Sequence, residues 1–216
     1  GNDPLGAIEA LPGVTFSNGR GSEPAVRGSA PTDNRYYIDF IPVDNMFHLD
    51  GSSLLNDNVI DSFALEAGGF GAEYTDATGA VITSTTRLPY QDQKQAVLDL
   101  SLIKAGVLLE APVTNNQSMY FSYRQSLFQY YIENFLDNED FKFTKVPEYT
   151  DYQGKYAIRL GDTGNISIQA IGSKDQVGLA FADDSDEIQR DPGLKGGISV
   201  KSEFHTQGVT WTDTTE

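Results

Sequence analysis

Beyond about residue 95, apolar and polar side chains take turns along the chain. Leu98, Leu100 and Leu102 alternate with Asp99 and Ser101, and Met119, Phe121 and Tyr123 alternate with Ser118, Ser122 and Arg124. Tyr156, Ile158 and Leu160 alternate with Lys155 and Arg159, Ile166 and Ile168 with Ser167 and Gln169, and Ile198, Val200 and Phe204 with Ser199, Lys201 and Glu203. A period of two sends one set of side chains to each face of a sheet. The pattern predicts strands at 96–103, 107–113, 118–128, 152–161, 165–181 and 196–212. The last two exceed the usual strand length of soluble domains. Either they run on past a bilayer into outer loops, or a bulge at Gly172, Gly178 or Gly208 interrupts them.

The connections also alternate. Thr114-Asn115-Asn116-Gln117 and Asp162-Thr163-Gly164-Asn165 read as tight turns, whereas the acidic stretches from about Gln129 to Asp151 and from Ala182 to Lys195 read as long loops. Short turns at one end and long loops at the other are the habit of outer-membrane barrels, and a soluble antiparallel meander can share it.

Residues 1 to about 90 behave differently, with short apolar runs punctuated by Gly, Asn and Pro. Ala7 to Leu11 reads as one helical turn stopped by Pro12-Gly13, and Tyr36 to Val43 as a strand in which Pro42 marks an end or an edge. Asp57 to Leu65 has no clear period, while Ala80 to Thr86 is a β-branched strand. The fold class is therefore all-β with minor α.

Composition narrows the partners. Thirty-one acidic residues against fifteen basic ones give a net charge of −16, which excludes nucleic acid, since phosphate contacts need Lys and Arg. The chain has no cysteine, so disulfides, thiolate metal sites and cysteine nucleophiles are all excluded. No apolar run approaches the roughly 20 residues of a membrane helix, which leaves a membrane β-barrel open. No basic n-region followed by an apolar h-region opens the chain, so any signal peptide has been removed or was never included.

Several segments, in order, resemble the TonB-dependent outer-membrane receptor family. They are Leu11-Pro12-Gly13-Val14, Val26-Arg27-Gly28, Tyr37-Ile38-Asp39 with Ile41-Pro42-Val43, and Gly68-Gly69 through Glu73-Tyr74 to Gly79-Ala80-Val81-Ile82, which resembles the motif closing the plug. Leu109-Glu110-Ala111-Pro112 and Tyr123-Arg124-Gln125-Ser126 resemble the first barrel strands. The chain departs from the family pattern at Phe40, Thr75 and Ala80, where glycine is usual. The resemblance implies a plug-like domain over 1–92 and the N-terminal portion of a transmembrane barrel over 93–216. It also implies a TonB box before Leu11, where this chain has ten residues, so that the TonB contact belongs to a segment missing from the chain. Six strands cannot enclose a plug, because even eight leave an interior only wide enough for side chains. The expectation is a fragment of a receptor in the outer membrane of a Gram-negative bacterium, taking up a small nutrient of unread class.

On that reading the plug holds polar contacts to a polar wall, with Arg27 the first candidate and Glu73 the second. The other positions carried by the motifs are Gly28, Asp39, Pro42, Gly68, Gly69, Tyr74, Gly79 and Arg87 in the plug, and Glu110, Pro112, Arg124 and Ser126 in the barrel strands. The glycines from Gly68 to Gly79 match neither nucleotide-binding spacing, and serve turns and close backbone approach instead. Asp137-Asn138-Glu139-Asp140 and Asp183-Asp184-Ser185-Asp186-Glu187 have no EF-hand spacing and read as solvated loops rather than calcium sites. His48, flanked by Asp44 and Asp50, gives a thin hint of metal but reads as a packing or surface histidine. No residue spacing suggests a catalytic group, so the expectation is no enzyme activity and no cofactor.

The aromatic cluster Tyr120, Phe121, Tyr123, Phe128, Tyr130, Tyr131 and Phe135 fits a membrane-interface girdle or a sugar-stacking platform. The platform belongs to the second reading of the chain, a secreted acidic β-sandwich that binds carbohydrate. The two readings differ in the surroundings of Leu98, Leu100, Phe121, Ile158, Ile166 and Val200. A sandwich buries them in one core, and a barrel turns them to lipid.

Overall fold

The structure, a computed structural model, describes residues 5–16, 23–130, 141–181 and 186–214. The chain opens with a 3-10 turn, Leu5–Ala10, and a small hairpin of β1 (Val14–Phe16) and β2 (Pro24–Val26). A mixed sheet follows from β3 (Arg35–Ile38), β4 (Ile41–Val43), β5 (Ile60–Glu66) and β6 (Val81–Thr86), ordered β4-β3-β6-β5. The pair β3 and β6 is parallel and the others are antiparallel. The stretch 57–65, which lacks a period in the sequence, contains an edge strand none of whose residues is fully buried, so no buried face imposes alternation.

Apolar side chains from these elements converge on one core: Ile8, Val26, Ile38, Met46, Phe47, Leu54, Leu55 and Ile82 are all buried. Asn34 ties three elements together. Its Nδ2 donates to the Pro24 carbonyl at 2.6 Å, and its Oδ1 accepts from the Ala80 amide at 3.0 Å. Gly79 stands where a Cβ would lie 2.8 Å from Ser29 Oγ and 2.9 Å from Asn34 Oδ1, which explains a glycine at that point.

Six antiparallel strands then form a second sheet in simple sequential order. They are β7 (Gln95–Leu100), β8 (Lys104–Thr114), β9 (Gln117–Ser126), β10 (Phe141–Leu160), β11 (Gly164–Phe181) and β12 (Ile198–Asp213). The sheet is open, with β7 and β12 as its edges. A 20-residue strand such as β10 is about 65 Å long at 3.3 Å per residue, well beyond the roughly 10 residues a tilted strand needs to cross a bilayer. The β11–β12 ladder runs without a register shift, so neither Gly172 nor Gly208 marks a bulge. The irregularity lies in β10 between Phe143 and Glu148, opposite Gly178. Residues 141–151, expected in a loop, are strand: the register shifts between Phe143 and Glu148 break the period of two, and the alternation that betrays a strand is lost. The second acidic stretch carries a short helix α1 (Asp186–Arg190) and a 3-10 turn, Pro192–Leu194.

The faces of this sheet are inverted relative to a soluble protein. Leu98 and Leu100 are 74% and 75% exposed, and Phe121, Ile168, Val209 and Trp211 are exposed as well. Facing the other way, Ser118, Ser122, Arg124, Ser126, Asp151, Gln153, Lys155, Gln169 and Asp175 are buried. None of Leu98, Leu100, Phe121, Ile158, Ile166 and Val200 is buried, which rules out the β-sandwich core. An apolar outer face with a polar inner one is the pattern of a wall between lipid and lumen. The aromatic cluster splits accordingly. Tyr120 points inward and donates to Thr86 Oγ1 at 3.2 Å, whereas Phe121 and Tyr123 face outward, so no continuous sugar platform exists among the described residues. Tyr131 and Phe135 lie outside the described residues, as do Asp137 to Asp140 and Asp183 to Ser185.

Candidate functional site

The plug-like unit rests on the polar face of the strands, and polar side chains hold it at two heights. At the lower height, Arg87 follows β6 and reaches Glu110 on β8. Its Nη1 and Nη2 donate to the two carboxylate oxygens at 2.7 and 2.8 Å, while its Nε donates to the Asn58 carbonyl at 2.8 Å. The Tyr90 amide donates to the same carboxylate at 2.6 Å, and the guanidinium lies 4.2 Å from the Tyr90 ring centroid. Such a fork-to-fork pair fixes direction as well as charge. The hydrogen bonds to Glu110 hold the Arg87 pKa above its already high ordinary value, despite partial burial.

Beside it, Lys155 of β10 donates to Asp39 Oδ2 at 3.1 Å and to the Thr86 carbonyl at 2.9 Å. Asp39 occupies the β3–β4 turn, where it and Phe40 both take left-handed conformations with φ of 51° and 66°. The turn type favours glycine and asparagine. Phe40 is 71% exposed there, so the strain is not offset by buried packing. The conformation aims the Asp39 carboxylate at the Thr86 amide (2.9 Å), the Thr86 hydroxyl (2.5 Å) and Lys155 together.

The upper contacts involve the loop from Asp44 to Val59. His48 lies between two wall carboxylates, with Nε2 3.0 Å from Asp151 Oδ2 and Nδ1 3.1 Å from both oxygens of Asp175. The Arg124 Nε donates to Asp151 at 3.0 Å, and its Nη2 donates to the Ser53 carbonyl at 2.6 Å. Gln153 Nε2 donates to the Leu54 carbonyl at 2.5 Å, its Oε1 accepts from the Asn56 amide at 3.0 Å, and Asn56 Nδ2 donates to Ser122 Oγ at 2.8 Å. Tyr149 stacks on the His48 ring at 3.9 Å between centroids. A cavity of about 180 Å³ adjoins this layer, lined by Leu49, Phe128, Pro147, Tyr149, Asp175 and Val177 among others.

A third contact is steric. A Cβ on Gly208 of β12 would lie 2.7 Å from Ile41 Cδ1, so the plug hairpin touches the wall backbone where the wall has no side chain. Thr206 Oγ1 donates to the Pro42 carbonyl at 3.2 Å in the same place.

Of the positions drawn from the sequence, Asp39, Pro42, Arg87, Glu110 and Arg124 meet at this interface. Ser126 accepts from the Tyr149 amide at 2.9 Å within the wall, and Pro112 sits where β8 has run past its β7 partner and needs no N–H on that side. Gly28, Gly68 and Gly69 all take positive φ in turns. Arg27 is exposed on the turn after β2 and donates to the Ala67 carbonyl at 3.5 Å, while Glu73 lies against Gly71 and Tyr74 packs on Tyr37 at 5.0 Å. None of these last contacts reaches the wall. His48, Asn56, Asp151, Gln153, Lys155 and Asp175 were not singled out for the interface. What signalled the wall residues among them was the polar half of the alternating strands, because buried polar residues opposite an exposed apolar set need partners from elsewhere; the loop residues His48 and Asn56 carried no such signal. No cluster of three or more metal-ligating groups occurs among the described residues.

The sequence matches no protein-family model and no curated protein. Solved structures do match. A mutant ferric enterobactin receptor (PfeA) of Pseudomonas aeruginosa aligns over 97% of this chain with a TM-score of 0.57 and 15% identity. The siderophore receptor PirA of the same organism aligns over 97% with a TM-score of 0.52 and 15% identity. The chain spans 36% and 39% of those two structures. It therefore has the fold of part of these two receptors, with a plug-like unit packed on an open stretch of barrel wall. Both neighbours are receptors rather than enzymes.

Proposed function

We propose that this chain forms the plug, within residues 1–92, and the first barrel strands, within 93–216, of a TonB-dependent receptor in the outer membrane of a Gram-negative bacterium. The plug gates uptake of a small nutrient energised through the TonB complex. Ferric siderophores are the first ligand class to test, because both solved neighbours are siderophore receptors by name. The reading rests on one observation: ion pairs and buried hydrogen bonds fasten the plug to the wall at both heights, with apolar contact across it from Ile171 and Phe204 on the plug core and from Val59 against Leu108 and Tyr120. Such polar contacts can be broken and re-formed with water as the substitute partner.

A reversible lock tests this. Ile41 and Gly208 approach closely enough for a disulfide between cysteines at both positions, and the chain has no other cysteine. The whole receptor carrying Ile41→Cys and Gly208→Cys should lose uptake when oxidised and regain it with reductant. Undiminished uptake with the bond formed would overturn plug movement at this contact.

A further inference from the structure

The polar layer around His48 sets a condition that the sequence does not show. Both ring nitrogens of this fully buried imidazole face carboxylates, Nε2 toward Asp151 and Nδ1 toward Asp175. A neutral imidazole carries one N–H and can donate to only one of them, leaving a lone pair against a carboxylate oxygen on the other side. The geometry points to His48 as a doubly protonated clamp, an imidazolium of the plug shared between Asp151 and Asp175 of the wall, whose second proton fastens the plug. This rests on the plug-and-wall reading above.

The neighbouring charges agree. Arg124 from β9 lies on Asp151, so imidazolium and guanidinium together balance the two carboxylates. Asp175 also accepts from the Leu49 amide at 3.1 Å and from Ser173 Oγ at 2.9 Å. The Tyr149 ring covers the imidazolium face. Asp50 and Asp57 of the same loop face Tyr149 and Arg124 and add further negative potential. With His48 neutral, the four-group cluster keeps an unbalanced negative charge in a buried site, an arrangement that is strongly disfavoured.

Burial alone would push the His48 pKa down, but the hydrogen bonds and charges of Asp151 and Asp175 outweigh it, and the net shift is upward. The sign follows from linkage. A pKa raised in the seated state adds attachment that is fully present below the ordinary histidine value of about 6.5 and disappears as pH rises through the raised value. The clamp is closed below the ordinary histidine value, while the carboxylates stay ionised, and opens as pH rises through the raised value.

The test uses the whole receptor in detergent, labelled with ¹⁵N-histidine, with the His48 signals assigned by their loss in His48→Gln. Two protonated ring nitrogens at neutral pH are expected, with one proton leaving only above the ordinary histidine range. Asp175→Asn should lower that midpoint. The urea concentration that releases the plug should fall over the same pH interval in the wild type and stay flat in His48→Arg. A singly protonated ring at neutral pH, with residues 44–56 still protected from hydrogen exchange, overturns the clamp alone. Free exchange of 44–56 at every pH overturns the plug reading itself, and the clamp with it.

Discussion

Replacing Arg87 by Met tests how the plug is fastened at its lower level. The Glu110 carboxylate that Arg87 grips is 0% exposed, and Arg87 itself is 18% exposed. The substitution removes two charge-assisted hydrogen bonds and leaves a buried carboxylate with only the Tyr90 amide. Removing one partner of a buried pair costs about 3–5 kcal/mol, and the partial exposure of Arg87 places this case near the lower end. About 3 kcal/mol is roughly a hundredfold in the ratio of seated to released plug. Glu110→Leu in the same background takes away the stranded charge, so the double variant should lie within about 1.5 kcal/mol of wild type. The assay is the urea midpoint for plug release in the whole receptor, followed by hydrogen exchange at the β6 amides. Arg27→Ala serves as the control and should shift the midpoint by less than about 0.5 kcal/mol, since its described contact is one long exposed hydrogen bond. If the double variant were as weakened as the sum of its parts, the pair would not be coupled and the argument would fail.

Phe40→Gly should raise the same midpoint by about 0.5–1 kcal/mol, because glycine removes the left-handed strain and little packing is lost at an exposed side chain. A lowered midpoint would show that Phe40 makes a contact worth more than its strain. Phe121→Arg, on the outward face of β9, should cost about 2–4 kcal/mol if that face meets lipid near the bilayer midplane. The loss would register as a smaller heat-modifiable fraction in outer membranes, and unchanged assembly would contradict the assignment of the faces.

Much of the wall was legible before any coordinates, because alternation survives wherever one face meets lipid and the other meets polar groups. The runs around Phe121 and Ile168 are examples. Legibility failed at 141–151, where the irregularity between Phe143 and Glu148 breaks the alternation of β10. Asp39 and Arg87 in the plug and Glu110 in the wall stood out through motif order, but which residues pair could not. Lys155 lies 116 residues beyond Asp39 in the chain and Glu110 lies 23 beyond Arg87, and no local pattern encodes such pairings. His48 misled for the same reason. Its sequence neighbours Asp44 and Asp50 drew attention, while the carboxylates it meets sit 103 and 127 residues away. Arg27 attracted notice as a lone guanidinium in a recognisable motif, yet its turn directs it back to Ala67.

The most direct test of the account is the size and location of the native gene product in its source cells. The account predicts a protein much heavier than this 216-residue chain, heat-modifiable and confined to the outer-membrane fraction. A soluble product the size of this chain would contradict it.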